Sequence, residues 1–353
     1  MTKILVIHVQ DHSNITHDPF EFYELINSQE FAVFCSCRSV IRVQNSKRYF
    51  AKGFYDWLFD FVKIHDIRRI LINTDISARH QSELERSLCL SIIDRTQLIL
   101  MLFQSRARSY EGKLQVELAH LAYLSTRLVR GWTHLERQRG GIGIRGGPGE
   151  TQLELDKRIL NDNIKRIKIK LARFNTHRQL NQRSREHVYK VNLVGYSNAG
   201  KSTLFEMLTK KQTYHDDRLF ATLDPISARI QYRDNKLIVT DTVGFISNLP
   251  ETLMQAFLST ISEIKLSNQL LHIVDISNPL WKSHIKTVND YLQQLDPELC
   301  KRVKLVFNQC DRVSKMYIDE LSLMYPNAFF ISALKSNEVK VLFDYLINQI
   351  DLS

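Results

Sequence analysis

Hydrophobic positions along this chain change rhythm twice. Over residues 3–93, short apolar runs alternate with a helical stripe. Lys3–Val9, Phe31–Cys35 and Arg68–Asn73 are rich in aliphatic and aromatic residues and predict three strands. Between the last two, Phe54, Trp57, Leu58, Phe61 and Val62 recur at steps of three and four, which predicts a helix with one apolar face. From Arg95 the rhythm lengthens. Leu114, Leu118, Leu121, Leu124 and Leu128 mark one long amphipathic helix, and Leu153, Leu160, Ile164, Ile167, Leu171 and Phe174 mark a second. From Tyr189 onward strands and helices alternate again. Strands are predicted at Tyr189–Gly195, Lys236–Asp241, Gln269–Asp275, Arg302–Asn308 and Ala328–Ser332, with a closing amphipathic helix over Val339–Ile350. The pattern predicts an α/β protein in three parts: a small N-terminal α/β domain over 1–93, an antiparallel helical hairpin over 94–188, and a domain with a mostly parallel sheet over 189–353. The competing arrangement for the middle part packs each long helix separately on a globular core.

The connection between the two long helices changes the picture. Gly140–Gly149 holds six of the chain's 12 glycines. A helix–helix turn needs one or two, and ordering glycine costs backbone entropy, so this loop suits a close approach of backbone to another surface. Arg127, Arg130, Arg137, Arg139 and Arg145 stand beside it. The second helix carries Lys157, Arg158, Lys165, Arg166, Lys168, Lys170, Arg173, Arg178, Arg183 and Arg185 against Glu154, Asp156, Asp162 and Glu186. Phosphate backbone is the natural counterpart of such a helix, and a flexible tip favours folded RNA over a regular groove. Arg139, Arg145, Gly146, Gly147, Gly149, Lys165 and Arg166 are the candidate RNA contacts. A solvated basic face is the bland alternative.

The third part opens on Gly195-Tyr196-Ser197-Asn198-Ala199-Gly200-Lys201-Ser202, which matches the phosphate-binding pattern G-x-x-x-x-G-K-S/T. It lies between a predicted strand and a run from Thr203 that reads as a helix start, the context this pattern requires. Glycines let backbone N–H groups turn inward, and the helix N-terminus adds partial positive charge. Lys201 is placed to reach the β- and γ-phosphates of a nucleotide, and Ser202 to ligate Mg²⁺.

Four further boxes follow in the order of small GTPase domains. Phe220-Ala221-Thr222 sits in the polar connection after the first helix, where Thr222 resembles the switch I threonine that completes the Mg²⁺ shell. Asp241-Thr242-Val243-Gly244 fits D-x-x-G, with Asp241 holding Mg²⁺ through water and the Gly244 N–H on the γ-phosphate. Asn308-Gln309-Cys310-Asp311 stands where the base is read. The Asp311 carboxylate only accepts hydrogen bonds, so it suits the adjacent donors of guanine and rejects adenine. Ser332-Ala333 fits the fifth box, with the Ala333 N–H expected on the guanine O6. Lys201, Thr222 and Gly244 are the candidate catalytic residues, and Ser202 and Thr222 the candidate metal ligands. Phe245 occupies the position of the water-orienting glutamine of Ras-like enzymes, which predicts slow intrinsic hydrolysis.

The 353-residue chain carries a formal charge of +10, in keeping with an acidic partner. Five cysteines without a C-x-x-C pair fit reduced thiols in a cytoplasmic setting better than a disulfide frame or a zinc site. The apolar run Ile4–Ile7 is too short for a secretory leader, no segment reaches membrane-spanning length, and a monomer is expected.

Asp94–Gln97, Glu111–Ala119, Ser125–Arg137, the glycine loop with Glu150–Glu154, Phe220–Pro225 and Asp241–Ile246 together resemble the HflX family of ribosome-associated GTPases. The resemblance covers residues 90–353 clearly and the first ninety in outline. It implies an N-terminal α/β domain, a helical hairpin and a P-loop GTPase domain using GTP, GDP and Mg²⁺. It further implies binding to the large ribosomal subunit and its ribosomal RNA, with splitting or rescue of stalled ribosomes under stress. Three features depart from the family pattern. Arg145-Gly146-Gly147-Pro148-Gly149-Glu150 has an extra glycine. Gln309 replaces a lysine, which predicts looser nucleotide binding. The sequence stops just after its closing helix, where many members carry a further small domain. Two rivals stand beside the GTPase reading: a GTP-sensing, RNA-binding regulator with little hydrolysis, and a P-loop ATPase, against which Asp311 argues.

Overall fold

The computed structural model describes residues 3–11, 19–29, 31–41, 48–131, 152–183, 188–210, 219–220, 224–232, 235–247 and 263–351. They group into two compact units. One holds residues 1–105 with 114–172, and the other holds 106–113 with 173–353.

The first unit is built on a parallel sheet of β1 (Ile4–Asp11), β2 (Val33–Ile41), β3 (Arg69–Ile72) and β4 (Ser91–Ile93), in the order β2-β1-β3-β4. Parallel neighbours need crossovers, and α1 (Pro19–Asn27), α2 (Lys52–His65) and α3 (Ala78–Leu88) supply them. Leu5, Ile7, Ile70, Ile72, Leu58 and Leu84 are buried between sheet and helices, with Phe54, Phe59 and Phe61 packed against them. The Asn73 side chain clamps β1: its Oδ1 accepts from Val9 N at 2.7 Å, and its Nδ2 donates to Val9 O at 3.3 Å. After the sheet come α4 (Arg95–Arg106) and α5 (Tyr110–Gly131). Two buried ion pairs accompany them within this unit, Glu21 with Arg95 and Asp94 with Arg127. Burial raises the Asp94 carboxyl above its ordinary value, with the Arg127 charge opposing.

The long helices fall at Tyr110–Gly131 and at α6 (Gln152–Arg183). Leu114, Leu118 and Ile167 of the predicted stripes are buried, whereas Leu124 is 36% exposed. The Tyr110 and Phe174 rings meet at 6.0 Å, both within the second unit. The glycine loop, with Arg139, Arg145, Gly146, Gly147 and Gly149, lies outside the described residues.

In the second unit a six-stranded sheet runs β10-β9-β8-β5-β7-β6. Its strands are β5 (Tyr189–Gly195), β6 (Ile226–Tyr232), β7 (Asn235–Asp241), β8 (Gln269–Asp275), β9 (Val303–Asn308) and β10 (Phe329–Phe330). All pairings are parallel except β6 with β7. The helices are α7 (Lys201–Thr209), α8 (Trp281–Leu295), α9 (Lys315–Met324) and α10 (Ser336–Asp351). Val191, Leu193, Leu271, Ile273, Phe205, Leu204, Leu342 and Leu346 form the core on one sheet face. Val194, Leu270, Val288, Leu292 and Leu299 form a core on the α8 side. Doubly wound parallel strands place their carboxyl ends along one edge of the sheet, where ligands bind in this class of fold.

His272 sits in the middle of β8 at 1% exposure, with neither ring nitrogen hydrogen-bonded. Burial first, and then the charge of Lys201, push its pKa down to about 3. The unfolded imidazole, with its ordinary value near 6.5, therefore binds a proton that the folded one refuses, and stability falls as pH drops through that window. At about 1.4 kcal/mol per pH unit, this histidine alone is expected to remove about 2 kcal/mol between pH 7 and pH 5. Urea melts of His272→Leu are expected to be flatter than wild type by that amount over this range. Parallel pH profiles of the two proteins would contradict the assignment.

Candidate guanine-nucleotide site

The phosphate loop is shaped by two glycines that no other residue could replace. Gly195 ends β5 at φ +156°, where a methyl would strike the Ile273 carbonyl. Gly200 sits at φ +86°, where a methyl would strike the Asn308 amide. Between them Asn198 takes φ +63°, which asparagine tolerates better than most residues. The loop is zipped to the D-x-x-G segment: Ser197 N donates to Phe245 O at 2.7 Å, and Phe245 N to Gly195 O at 3.0 Å.

Lys201 opens α7 and is 6% exposed, its Nζ donating to Tyr196 O at 2.8 Å. Burial pushes its pKa down to about 8, and the Asp241 charge opposes that fall only in part. A buried ammonium so incompletely compensated suits a phosphate anion. A methyl on Gly244 would strike Ser197 Cα at 2.6 Å and stand 3.0 Å from Nζ, so glycine lets this segment lie close against the phosphate loop. The Ser202 hydroxyl donates to Asp241 Oδ2 at 2.6 Å. That pair of oxygen donors beside a phosphate cradle fits a hard divalent cation such as Mg²⁺. Thr242 turns away and donates to Leu193 O at 2.6 Å, which anchors the box to β5. Phe220 is buried at φ +57°, and its N–H donates to Ser197 Oγ at 2.9 Å. Ala221 and Thr222 lie outside the described residues.

Beyond Gly200 opens a cavity of about 370 Å³ lined by Asn198, Gly200, Thr203, Asp275, Asn308, Gln309, Asp311, Arg312, Ser332, Ala333 and Leu334. Asn308 is a brace at its base: Nδ2 donates to Ala199 O and Oδ1 accepts from Ala333 N, both at 2.9 Å. The Ala333 N–H, expected on the guanine O6, is thus directed to Asn308 here. Asp311 lies exposed on the cavity wall, and a hydrogen bond from Ser332 is the first cause holding its carboxyl below the ordinary value. It is ionised at neutral pH and accepts only.

These features coincide with what known proteins display. Residues 190–309 match a family model described as a 50S ribosome-binding GTPase. Residues 17–104 match the N-terminal part of a GTP-binding GTPase, and residues 106–185 its middle region. GTPase HflX of Escherichia coli is 40% identical over 94% of this chain and 78% of its own length. That of Magnetococcus marinus is 41% identical over 84% of this chain and 69% of its own. The chain belongs to the HflX GTPase family. It is accordingly a GTPase, which sets aside the ATPase reading. Among solved structures, the complex of SsGBP with GDP covers 100% of this chain and 99% of that one at a TM-score of 0.52 and 20% identity, a likeness of fold.

Several site features of this HflX family member escape a motif search. Asp275, at the end of β8, lines the base cavity and accepts from the Ser277 hydroxyl at 2.6 Å, and that hydroxyl lies 3.2 Å from Gln309 Oε1. Gln309 itself adopts φ +62°. Glu338 of α10 accepts from Ser332 N at 2.5 Å and steadies the fifth box. The Tyr196 ring stacks on His284 of α8 at 3.7 Å, and its hydroxyl accepts from Ser247 N at 2.8 Å. Phe245 stacks on Tyr291 at 5.5 Å and belongs to the apolar cluster under α8. The one signal available beforehand was chain position, and only for Asp275 and Gln309, which lie at or just past a strand end. Among the described residues no group of His, Cys, Asp and Glu is arranged for a separate metal centre.

Lys201→Ala is expected to weaken GTP binding on the order of 100-fold, the loss of one charged hydrogen bond worth about 2–3 kcal/mol. Fluorescent-nucleotide titration measures it, and unchanged affinity would remove Lys201 from the phosphate site. Asp311→Asn is expected to reverse base preference, because an amide can donate to the xanthine O2 where guanine bears an amine. Competition between GTP and XTP reads this directly, and an unaltered preference in the variant would deny Asp311 its base-reading role.

Proposed function

We propose that this chain is a Mg²⁺-dependent GTPase that acts on the large ribosomal subunit, in three working parts: an α/β domain over 1–93, a helical hairpin over 94–188 and the GTPase domain over 189–353. One observation carries the reading. A cavity that the base-box residues Asn308, Asp311, Ser332 and Ala333 share with Asn198 and Gly200 of the phosphate loop stands in the same chain as a long helix that exposes Lys165, Arg166, Lys168 and Arg173 to solvent. The family to which the chain belongs supports the same conclusion, since its model for residues 190–309 is described as ribosome-binding. A nucleotide alone would not call for such a basic face, and RNA phosphate does.

Within the site, backbone N–H groups of Gly195–Thr203 cradle the phosphates, and Lys201 places its charge on the β- and γ-oxygens. Ser202 and Thr222 would hold Mg²⁺, with Asp241 behind them, and the ion would supply positive charge to offset that of the transferred phosphoryl group. The Gly244 N–H meets the γ-phosphate, and Asp311 selects guanine. The Phe245 side chain has no polar atom and is packed under α8, so it cannot orient water. Turnover is slow until the ribosome completes the site. Splitting or rescue of stalled ribosomes is the outcome, with the glycine loop and its neighbours Arg139 and Arg145 approaching ribosomal RNA. Five free cysteines suit a reducing cytoplasm, and the working form is a monomer. No described helix is long and apolar enough to cross a membrane.

Sedimentation with ribosomal subunits tests the reading. Binding to the large subunit is expected to be tighter with a non-hydrolysable GTP analogue than with GDP. Replacing Lys165, Arg166, Lys168 and Arg173 together with glutamine is expected to weaken binding and to lower the slope of log K against log salt by up to about 3. GTP affinity without ribosomes is expected to persist. An unchanged slope and affinity would return α6 to a merely solvated face.

A further inference from the structure

A polar chain joins the ends of β8 and β9 along the wall of the base cavity. Asp275, the last residue of β8, and Gln309, the first residue after β9, both line that cavity. Ser277 stands between them. Its N–H and its hydroxyl donate to Asp275 Oδ1 at 2.8 and 2.6 Å, and its Oγ lies 3.2 Å from Gln309 Oε1. The backbone runs the same bridge, since Ile276 N donates to Asn308 O at 3.3 Å. All of these residues belong to the same compact unit.

Gln309 supplies an independent sign that the chain is built in. It takes φ +62°, a left-handed conformation that glycine adopts freely and a glutamine does not. The sequence nevertheless places a long amide there, which gives its side chain a use. Gln309 is also where the base-reading turn begins. Its carbonyl accepts from Arg312 N at 3.0 Å and starts the single helical turn Cys310–Arg312, which carries Asp311.

Counting hydrogens gives the chain a direction. The Ser277 hydroxyl has one hydrogen, and the Asp275 carboxylate at 2.6 Å takes it. Toward Gln309 the same oxygen can then only accept. A half-turn of the Gln309 amide exchanges its oxygen and nitrogen and presents Nε2–H to Ser277 Oγ. The order becomes amide to hydroxyl to carboxylate, a relay in which each bond polarises the next.

We propose that Asp275 and Ser277 are positioning residues for the guanine base: through this relay they hold the Gln309 side chain at the cavity wall and fix the turn that presents Asp311. The proposal rests on the reading that the base enters this cavity and is selected by Asp311. A neutral amide at 309 ties the turn by hydrogen bonds alone. A lysine there, one bond longer, would add ionic attraction to Asp275. A glutamate would face Ser277 and Asp275 with no hydrogen to donate and a charge of the same sign.

The test measures release of fluorescent GDP, single-turnover hydrolysis at saturating GTP and thermal melting, all in the full chain. Ser277→Ala is expected to release GDP about fivefold faster, the effect of one lost hydrogen bond, with kcat and melting temperature unchanged. Ser277→Thr, which keeps the hydroxyl, is expected to stay near wild type. Adding Ser277→Ala to Gln309→Ala is expected to change nothing further, since both break one relay. Gln309→Glu is expected to release GDP faster than wild type and Gln309→Lys more slowly, and the lysine's gain to vanish in combination with Asp275→Ala. Wild-type release in Ser277→Ala, effects that multiply in the double variant, or a lysine gain that survives Asp275→Ala would overturn the relay. A kcat or melting temperature that falls in step with GDP affinity in Ser277→Ala would mark the contact as merely structural and overturn it as well. Asp311→Asn tests the reading beneath. Wild-type preference for GDP over XDP in that variant would remove the base from this cavity wall, whereas reversed preference beside wild-type release in Ser277→Ala would overturn the relay alone.

Discussion

A single ammonium buried at the end of β5 is the constraint on which the nucleotide unit depends. Among the described residues, Lys201 has one carbonyl, Tyr196 O, and the charge of Asp241 to offset its lost hydration, and burial brings its pKa down to about 8. Burying a charge without full pairing costs several kcal/mol. Glycines and one amide shape the loop around it. Gly244 lets its segment lie close against Ser197, Gly195 and Gly200 turn the loop backbone, and Asn308 holds the loop from beneath. Burial first, and the repulsion of this cation second, keep His272 on the neighbouring strand neutral.

The sheet converts this local demand into a site. Gly195 closes β5, Asp241 closes β7, Asp275 closes β8 and Asn308 closes β9, so parallel pairing brings segments far apart in sequence to one edge. Hydrogen bonds then lock neighbouring ends: Asn308 joins the phosphate loop to Ala333, and Phe245 joins it to the D-x-x-G segment. Phosphate and base are read by different loops, yet Asn308 touches both, which makes the two readings one rigid object.

Most of this was legible in the sequence where burial is two-sided or backbone demand is unusual. The runs Tyr189–Gly195 and Gln269–Asp275 coincide with β5 and β8, the first read from its alternation of polar and apolar residues and the second from its nearly unbroken apolar run, as expected of a strand covered on both faces. Edge and minimal strands did not announce themselves. β6 buries only Ala228, and β4 spans three residues, too few for any period. β2 extends well past Cys35, as its outward Ser36 and Arg38 break the apolar run without breaking the ladder. Among site residues, Gly195, Lys201, Asp241 and Asp311 were legible because phosphate and guanine chemistry tolerates few substitutes. Asp275, Glu338 and the Tyr196–His284 stack were not, since each supports a neighbour's position and many residue types could do that.

The packing of α8 also limits which parts can respond to GTP. Phe245 is held three ways: its carbonyl accepts from Ser197, its N–H donates to Gly195, and its ring stacks on Tyr291. Two residues on, Ser247 N is bound to the Tyr196 hydroxyl, whose ring lies flat on His284. Moving residues 244–247 would break these contacts together and expose apolar surface under α8. A γ-phosphate contributes only a few hydrogen bonds, a small return against that loss. The end of the D-x-x-G box and the residues just after it are therefore a fixed reference for the phosphate. Response to the nucleotide falls to parts of the chain outside this set of contacts.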